Sequence, residues 1–214
     1  MATGSMAMIV AATSQNGIGC KGGLPWRLPR EMRYFADATA GSAVVMGRKT
    51  WEGIPLKFRP LKGRVNVVVS RSSTVDGVEG VADTHLVHSL TEAIELLRGL
   101  PSRPAKTFLI GGAQLYTQAL EASPPLIDRI LLTRVHSPVF DCDTFIPPID
   151  EQHGWHRESA DALDRYLGFA APRGEQTERA KDQDVSYEFQ LWTPAAASSS
   201  VPPSPNLPLG IGGL

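Results

Sequence analysis

Apolar runs without a charged residue recur at residues 6–12 (MAMIVAA), 43–46 (AVVM) and 65–70 (VNVVVS), and KTFLI at 106–110 follows the same plan. Uninterrupted apolar runs of this length suit strands buried on both faces, where every side chain meets apolar neighbours. Helical patterns separate them: one opening at Pro29, SLTEAIELLRGL (89–100), and AQLYTQALEA (113–122). Ser89 caps the second, with Glu92 three residues on completing a capping box. HLVH (85–88) predicts a short strand and GWHRES (154–159) another; RILLTRVH (129–136) predicts a long one, and VSYEFQLWT (185–193) alternates as a final antiparallel strand. The pattern predicts a single-domain α/β fold over 1–193. Its central sheet is mostly parallel, of about eight strands, with helices on both faces and an antiparallel C-terminal strand. Residues 161–184 are long for an unstructured connection. From 194 to 214 the chain is uncharged and rich in Pro, Ser, Ala and Gly, the composition of a disordered tail.

Ligands of such sheets lie beyond the carboxyl ends of the strands. Four of those ends carry ligand-type residues. The first, TSQNGIGCKGG (13–23), contains a literal GxGxxG, but Gly23-Leu24-Pro25 follows where the dinucleotide fingerprint needs a helix, so the stretch reads as a mobile flap. The second, Gly47-Arg48-Lys49-Thr50, is a strand, a glycine and a helix start with two cations, which attracts phosphate. The third, Ser70-Arg71-Ser72-Ser73-Thr74, suits a phosphate monoester. At the fourth, Gly111-Gly112 permits a tight turn, a close backbone approach or an unusual peptide geometry.

The formal net charge of −1 gives no case for nucleic acid or membrane binding. Within it, residues 48–71 hold seven basic side chains against Glu52 alone, and 141–188 hold twelve acids and five bases, so the cationic band suggests a small polyanion. Cys20 and Cys142 have no metal-ligand spacing and read as free thiols of a reducing cytosol; no metal is expected. His85 and His88 read as structural. Residues 6–12 are too short for a signal peptide, and nothing approaches the roughly 20 apolar residues of a membrane span.

Leu24 to Phe35 (LPWRLPREMRYF) sets one carboxyl, Glu31, among Trp26, Leu28, Met32 and Phe35 at a helix start opened by Pro29. Spacing predicts Met32, Phe35, Ala36 and Thr39 on one face, Glu31 beside it, and Arg30, Arg33 and Asp37 towards water. A carboxyl in apolar surroundings has a raised pKa and can deliver a proton near neutrality.

With these residues in place, the chain resembles the dihydrofolate reductase family through nine collinear blocks: IVAATSQNGIG, LPW, EMRYF, VVMGRKTW, IPLKFRPLKGR, VVVSR, IGGAQLY, LLTRV and DTFIP. The match spans 6–160 and the last strand. The long loop before Arg64 resembles eukaryotic members, and without a thymidylate synthase module the chain resembles the single-activity form. The resemblance implies reduction of 7,8-dihydrofolate to tetrahydrofolate by hydride transfer from NADPH, serving one-carbon metabolism, in a cytoplasmic monomer that antifolates inhibit. It implies Glu31 as the ionisable group at the pterin, Trp26 as holder of an ordered water, and Thr133 as orienter of the carboxylate. Phe35 would stack on the pterin. Ile9, Val10, Ala11, Ile110 and Tyr116 would wall it, and Met32, Ile54, Pro55 and Leu61 would line the aminobenzoyl channel. Arg64 would clamp the glutamate α-carboxylate.

For NADPH, Gly111-Gly112 matches a cis glycine pair, and Arg48, Ser70, Arg71 and Ser72 the grip on the 2′-phosphate. Lys49, Thr50 and the helix start of Ala113, Gln114 and Leu115 would serve the pyrophosphate. Ala11, Ile18, Gly22, Gly47, Ile110, Tyr116 and Thr144 complete the implied cofactor contacts. Gly23 stands where many members carry Asp, which bears on flap closure. Two rivals share features of the pattern. A pyrimidine reductase of riboflavin synthesis lacks the LPW…E constellation and the Arg64 clamp, and a nucleotide-binding regulator could dispense with Glu31, Trp26 and Thr133.

Overall fold

The computed structural model describes residues 6–180 and 183–195. In chain order the elements are β1 (Met6–Thr13), β2 (Gly17–Gly19), α1 (Pro29–Thr39), β3 (Ala43–Gly47), α2 (Arg48–Gly53), β4 (Val65–Val69), β5 (Thr84–Val87), α3 (Leu90–Gly99), β6 (Thr107–Leu109), α4 (Ala113–Leu120), β7 (Ile127–Ser137), β8 (Thr144–Phe145), β9 (Trp155–Arg157), α5 (Ala160–Leu167), β10 (Gln176–Ala180) and β11 (Gln183–Pro194). Eight strands run across the main sheet in the order β10-β11-β7-β1-β6-β3-β4-β5, and β9 adds a ninth against β11. From β7 to β5 the neighbours are parallel, whereas β11 joins β7, β9 and β10 antiparallel. The predicted architecture is therefore the observed one.

Because side chains alternate across a strand, β1 feeds two cores. Ala7 and Ile9 pack with Tyr34 and Ala38 of α1, Trp51 of α2, and Leu163 and Leu167 of α5. Met6, Met8, Val10 and Ala12 pack with Leu90, Ala93 and Leu97 of α3, and Tyr116 and Ala119 of α4.

Two expectations are corrected here. On α1 the buried residues are Glu31, Tyr34, Ala38 and Thr39, while Met32 is 51% exposed and Ala36 is exposed. Glu31 thus lies on the buried stripe itself, because Tyr34, stacked on Phe189 of β11 with centroids 3.9 Å apart, sets the helix rotation. The span 161–184, long for an unstructured connection, indeed carries elements of its own. Most of α5 lies within it, following its N-cap Ser159, and so does β10, an edge strand whose polar QTERA gives no apolar alternation. Pro194, expected to open the tail, instead ends β11, and the Ala195 N–H donates to the Gly154 carbonyl at 2.8 Å. Residues 196–214 lie outside the described residues. Among the described residues, no helix is long and apolar enough to cross a membrane.

The α3 cap forms as the spacing predicts, with Ser89 Oγ accepting the Glu92 N–H at 3.1 Å. The Glu92 carboxylate reaches one residue further back than a capping box requires, to the His88 N–H at 2.8 Å. Ser89→Ala should lower the unfolding free energy by about 0.5–2 kcal/mol in urea titrations and leave turnover unchanged.

Candidate active site

Pro29 starts α1, and the burial of Tyr34 and Ala38 turns Glu31 inward to β7. There the Thr133 hydroxyl donates to Glu31 Oε1 at 3.2 Å. Thr133 is placed by register, opposite Ala11 of β1 on one side and Phe189 of β11 on the other. Glu31 is 7% exposed. Burial pushes its carboxyl up to about 7, opposed by the Thr133 bond and helped by the charge of Glu178. Trp26 packs edge-on against Phe140 at 5.3 Å, and its buried indole N–H has no protein acceptor, leaving a donor for what fills the cleft.

Ile9, Ala11, Phe35, Ile54, Leu61 and Ile110 gather on this same side of the sheet. Val10 does not: strand alternation puts its side chain in the opposite core, so only its backbone can serve the cleft. Met32 and Pro55 are exposed at the rim. Tyr116 reaches across from α4 and donates its hydroxyl to the Ile9 carbonyl at 2.8 Å, and burial holds its phenol protonated. Arg64 is aimed by three bonds: Nε to Thr39 Oγ1 at 2.8 Å, one terminal nitrogen to Lys62 O at 2.9 Å, the other to Ala36 O at 2.6 Å. Of its five N–H donors, one remains on each terminal nitrogen, a fork that suits a carboxylate.

The second half of the groove runs over β3, β4 and β6. Gly111-Gly112 is a cis peptide, with Gly111 at φ +117°. A Cβ at Gly111 would stand 3.4 Å from the Tyr116 ring and 3.5 Å from Thr50 Oγ1, and the Gly47 N–H donates to the Gly111 carbonyl at 2.7 Å. Gly112 caps α4 without a side-chain acceptor, so the first-turn N–H groups of Ala113 and Gln114 can take an anion. Beyond it, Ser70 Oγ accepts the Ser72 N–H at 3.1 Å, and Arg71 is exposed. His88 Nδ1 lies 2.9 Å from the Ser70 carbonyl, so this histidine braces the turn. Lys49 is exposed beside it. Arg48 stands at the same end but is paired with Glu52 at 2.8 Å. This donor set fits a phosphorylated dinucleotide: glycines where backbone must approach, a helix start for a diphosphate, and hydroxyls with cations for a further phosphate.

The flap carries β2, paired with β8. Cys20 and Gly23 close its tip by two backbone bonds of 2.9 and 3.0 Å, and Asp143 accepts the Lys21 N–H at 2.7 Å. Thr144 donates to Asp143, Ile18 is half-buried, and Gly22 is exposed at φ +80°. Arg134 ties the flap base to Thr13 O at 2.6 Å and Asn16 Oδ1 at 3.0 Å. Asp143, Arg134 and Glu178 escaped sequence reading because none lies in a ligand-type turn. Leu28, an N-cap without an acceptor, was the one hint that a cap must come from elsewhere. A cavity of about 600 Å³ at the opposite edge of the sheet is lined by Arg98, Arg103, Lys106 and Arg129. Lys106 there donates to the last carbonyls of α5, which explains that cation structurally.

A parallel α/β sheet whose strand ends bring a buried carboxyl beside a glycine-lined, cation-edged groove fits the nicotinamide-dependent oxidoreductases. The dihydrofolate reductase family profile matches residues 5–166. The chain is 39% identical to a dihydrofolate reductase of Cryptococcus neoformans, covering 89% of this chain and 95% of that one, and 38% identical to one of Pneumocystis carinii, covering 88% and 96%. The structure of Schistosoma mansoni dihydrofolate reductase superposes with a TM-score of 0.70 at 33% identity, covering 88% of this chain and 97% of that one. This chain belongs to the dihydrofolate reductase family.

A carboxyl raised from 4.5 to about 7 binds its proton more tightly in the folded state. Its stabilising contribution is complete below the unfolded value and is lost as pH rises through 7. Glu31→Gln should therefore be more stable than the parent at pH 8, by on the order of 3 kcal/mol, with the difference vanishing towards pH 4; urea titrations across pH read it. Thr133→Val, which removes the hydroxyl contact that favours the anion, should move the Glu31 midpoint upward.

Proposed function

We propose that the chain reduces 7,8-dihydrofolate to 5,6,7,8-tetrahydrofolate with Glu31 as the proton source, Arg64 as the carboxylate clamp, and the Gly111-Gly112 groove as the NADPH cradle. NADPH, when bound, supplies the hydride that reaches pterin C6. The protein's task is the proton at N5, and the observation that carries the reading is the buried Glu31 carboxyl, pushed up to about 7 and held at Thr133. Glu31 holds the pterin 2-amino group and N3 edge and promotes protonation of N5, through water or an enol tautomer. The Trp26 indole N–H, buried and without a protein partner, suits a donor to that water. Phe35 and Ile9 enclose the ring, Ile54 and Leu61 the aminobenzoyl portion, and Arg64 meets the glutamate α-carboxylate with its two remaining N–H groups. The same apolar cleft with one carboxyl suits cationic antifolates.

Lys49, Thr50 and the start of α4 hold the cofactor's diphosphate, and Ser70 and Arg71 its 2′-phosphate. Arg48 joins them by leaving Glu52, an exposed pair that contributes only about 0.3–0.5 kcal/mol and gives way readily. The protein acts as a monomer in the cytoplasm; its near-neutral charge calls for no nucleic-acid or membrane partner.

Loss of NADPH absorbance on adding dihydrofolate tests the activity. Glu31→Gln should bind both ligands yet lose most turnover at neutral pH; near-normal turnover there would refute the role. Arg64→Lys keeps the charge but not the planar fork, so the KM for dihydrofolate should rise more than kcat falls. NADH should be a poorer cofactor than NADPH, chiefly through KM, and Ser70→Ala with Arg71→Ala should narrow the gap.

A further inference from the structure

Helix α1 begins without a cap of its own. Leu28 stands at the N-cap and offers no side-chain acceptor, and Pro29 has no N–H, so the first donor in need of a partner is the Arg30 N–H. Glu178 of β10 takes it, with carboxylate oxygens at 3.1 and 3.3 Å. Tyr187 of β11 donates its hydroxyl to the same carboxylate at 3.0 Å. The Arg30 guanidinium approaches to 3.9 Å and donates to the adjoining Thr177 carbonyl. Glu178 is only 9% exposed, and the residue that follows Arg30 is Glu31.

We propose that Glu178 is a positioning residue for the proton donor: from β10 it supplies the N-cap that α1 lacks, and so holds the Glu31 carboxyl at Thr133. The cap comes from 148 residues away, so it ties the donor's position to the C-terminal hairpin. A carboxylate at a helix N-terminus is favoured by the helix dipole, which lets two acids share one small region. Among the described residues, Glu178 receives an N–H and a phenolic O–H, whereas Glu31 receives only the Thr133 hydroxyl. The groups acting on or acted on by Glu31 are Thr133 of β7, Tyr34 of its own helix (which also feels Asp164 of α5), Tyr116 of α4, Tyr187 of β11 (which also feels Arg30), and Glu178. Burial pushes all three phenols upward and keeps them neutral, so Glu178 is the negative charge that Glu31 meets.

The catalytic meaning rests on Glu31 being the proton source, and the test separates the two. Glu178→Ala and Glu178→Gln are compared with the parent in kcat, KM, pH profile, and a ¹³C NMR titration of the Glu31 carboxyl without ligands. Glu178→Ala should lose about tenfold or more in kcat through a displaced donor, with KM for dihydrofolate changing less. Glu178→Gln keeps an acceptor for the Arg30 N–H and should recover most of kcat at low pH. With the charge gone, its pH profile and NMR midpoint should both move about half a unit lower. If Glu178→Ala does not fold, Glu178→Thr, which suits a strand and is too short to reach the Arg30 N–H, takes its place. An unchanged Glu31 midpoint and pH profile, or a loss confined to the unfolding temperature, would overturn the proposal. Failure of the reading of Glu31 shows differently: Glu31→Gln stays active, while the NMR midpoint still answers to Glu178.

Discussion

Burial of a carboxyl among tryptophan, tyrosine and aliphatic side chains disfavours its anion, and a protein can answer by pairing the charge or by keeping the proton. Among the described residues no cation pairs with Glu31; Thr133 offers one hydroxyl, and a second carboxylate stands nearby at Glu178. The group therefore keeps its proton to about pH 7. The surrounding architecture maintains that condition. The Tyr34–Phe189 stack fixes the rotation of α1, the β1–β7–β11 register fixes Thr133, and the Glu178 cap fixes where the helix begins.

The other half of the site depends on strand direction. In a parallel sheet the carboxyl ends of β1, β3, β4 and β6 share one edge, so their following turns converge although they lie far apart in the chain. At that edge, the glycines of β3 and of the β6–α4 turn let the backbone approach a ligand, and α4 opens with its first N–H groups unclaimed. The hydroxyl-rich turn after β4 is braced from behind by His88. Asp143 fastens the flap through a backbone N–H, so the tether does not require an acid at Gly23.

Much of this was legible from residue type and spacing. Uncharged apolar runs marked the strands because a strand buried on both faces tolerates nothing else, and Gly111-Gly112 stood out at a strand end, although only the structure shows which of a tight turn, a close approach or an unusual peptide it makes. What misled was local: periodicity on α1 pointed to Met32 and Ala36, yet the buried stripe is Glu31, Tyr34 and Ala38. A helix pattern of mixed polarity admits more than one rotation, and the partner strand β11 selects one. The polar β10 escaped notice because an edge strand needs no apolar alternation, and with it went Glu178.

The amino-acid sequence by itself determined which segments become strands and helices, the order in which they alternate, and hence the edge where the glycine-rich and cationic turns gather, because these follow from burial patterns and turn chemistry within short windows. It also placed an acid in apolar company. Tertiary structure alone decided that this acid faces Thr133, that a glutamate 147 residues later caps its helix, and that Arg48 rests on Glu52 while Arg64 is braced for a ligand. Those are contacts between segments distant in the chain, and their geometry exists only once the sheet has brought the segments together.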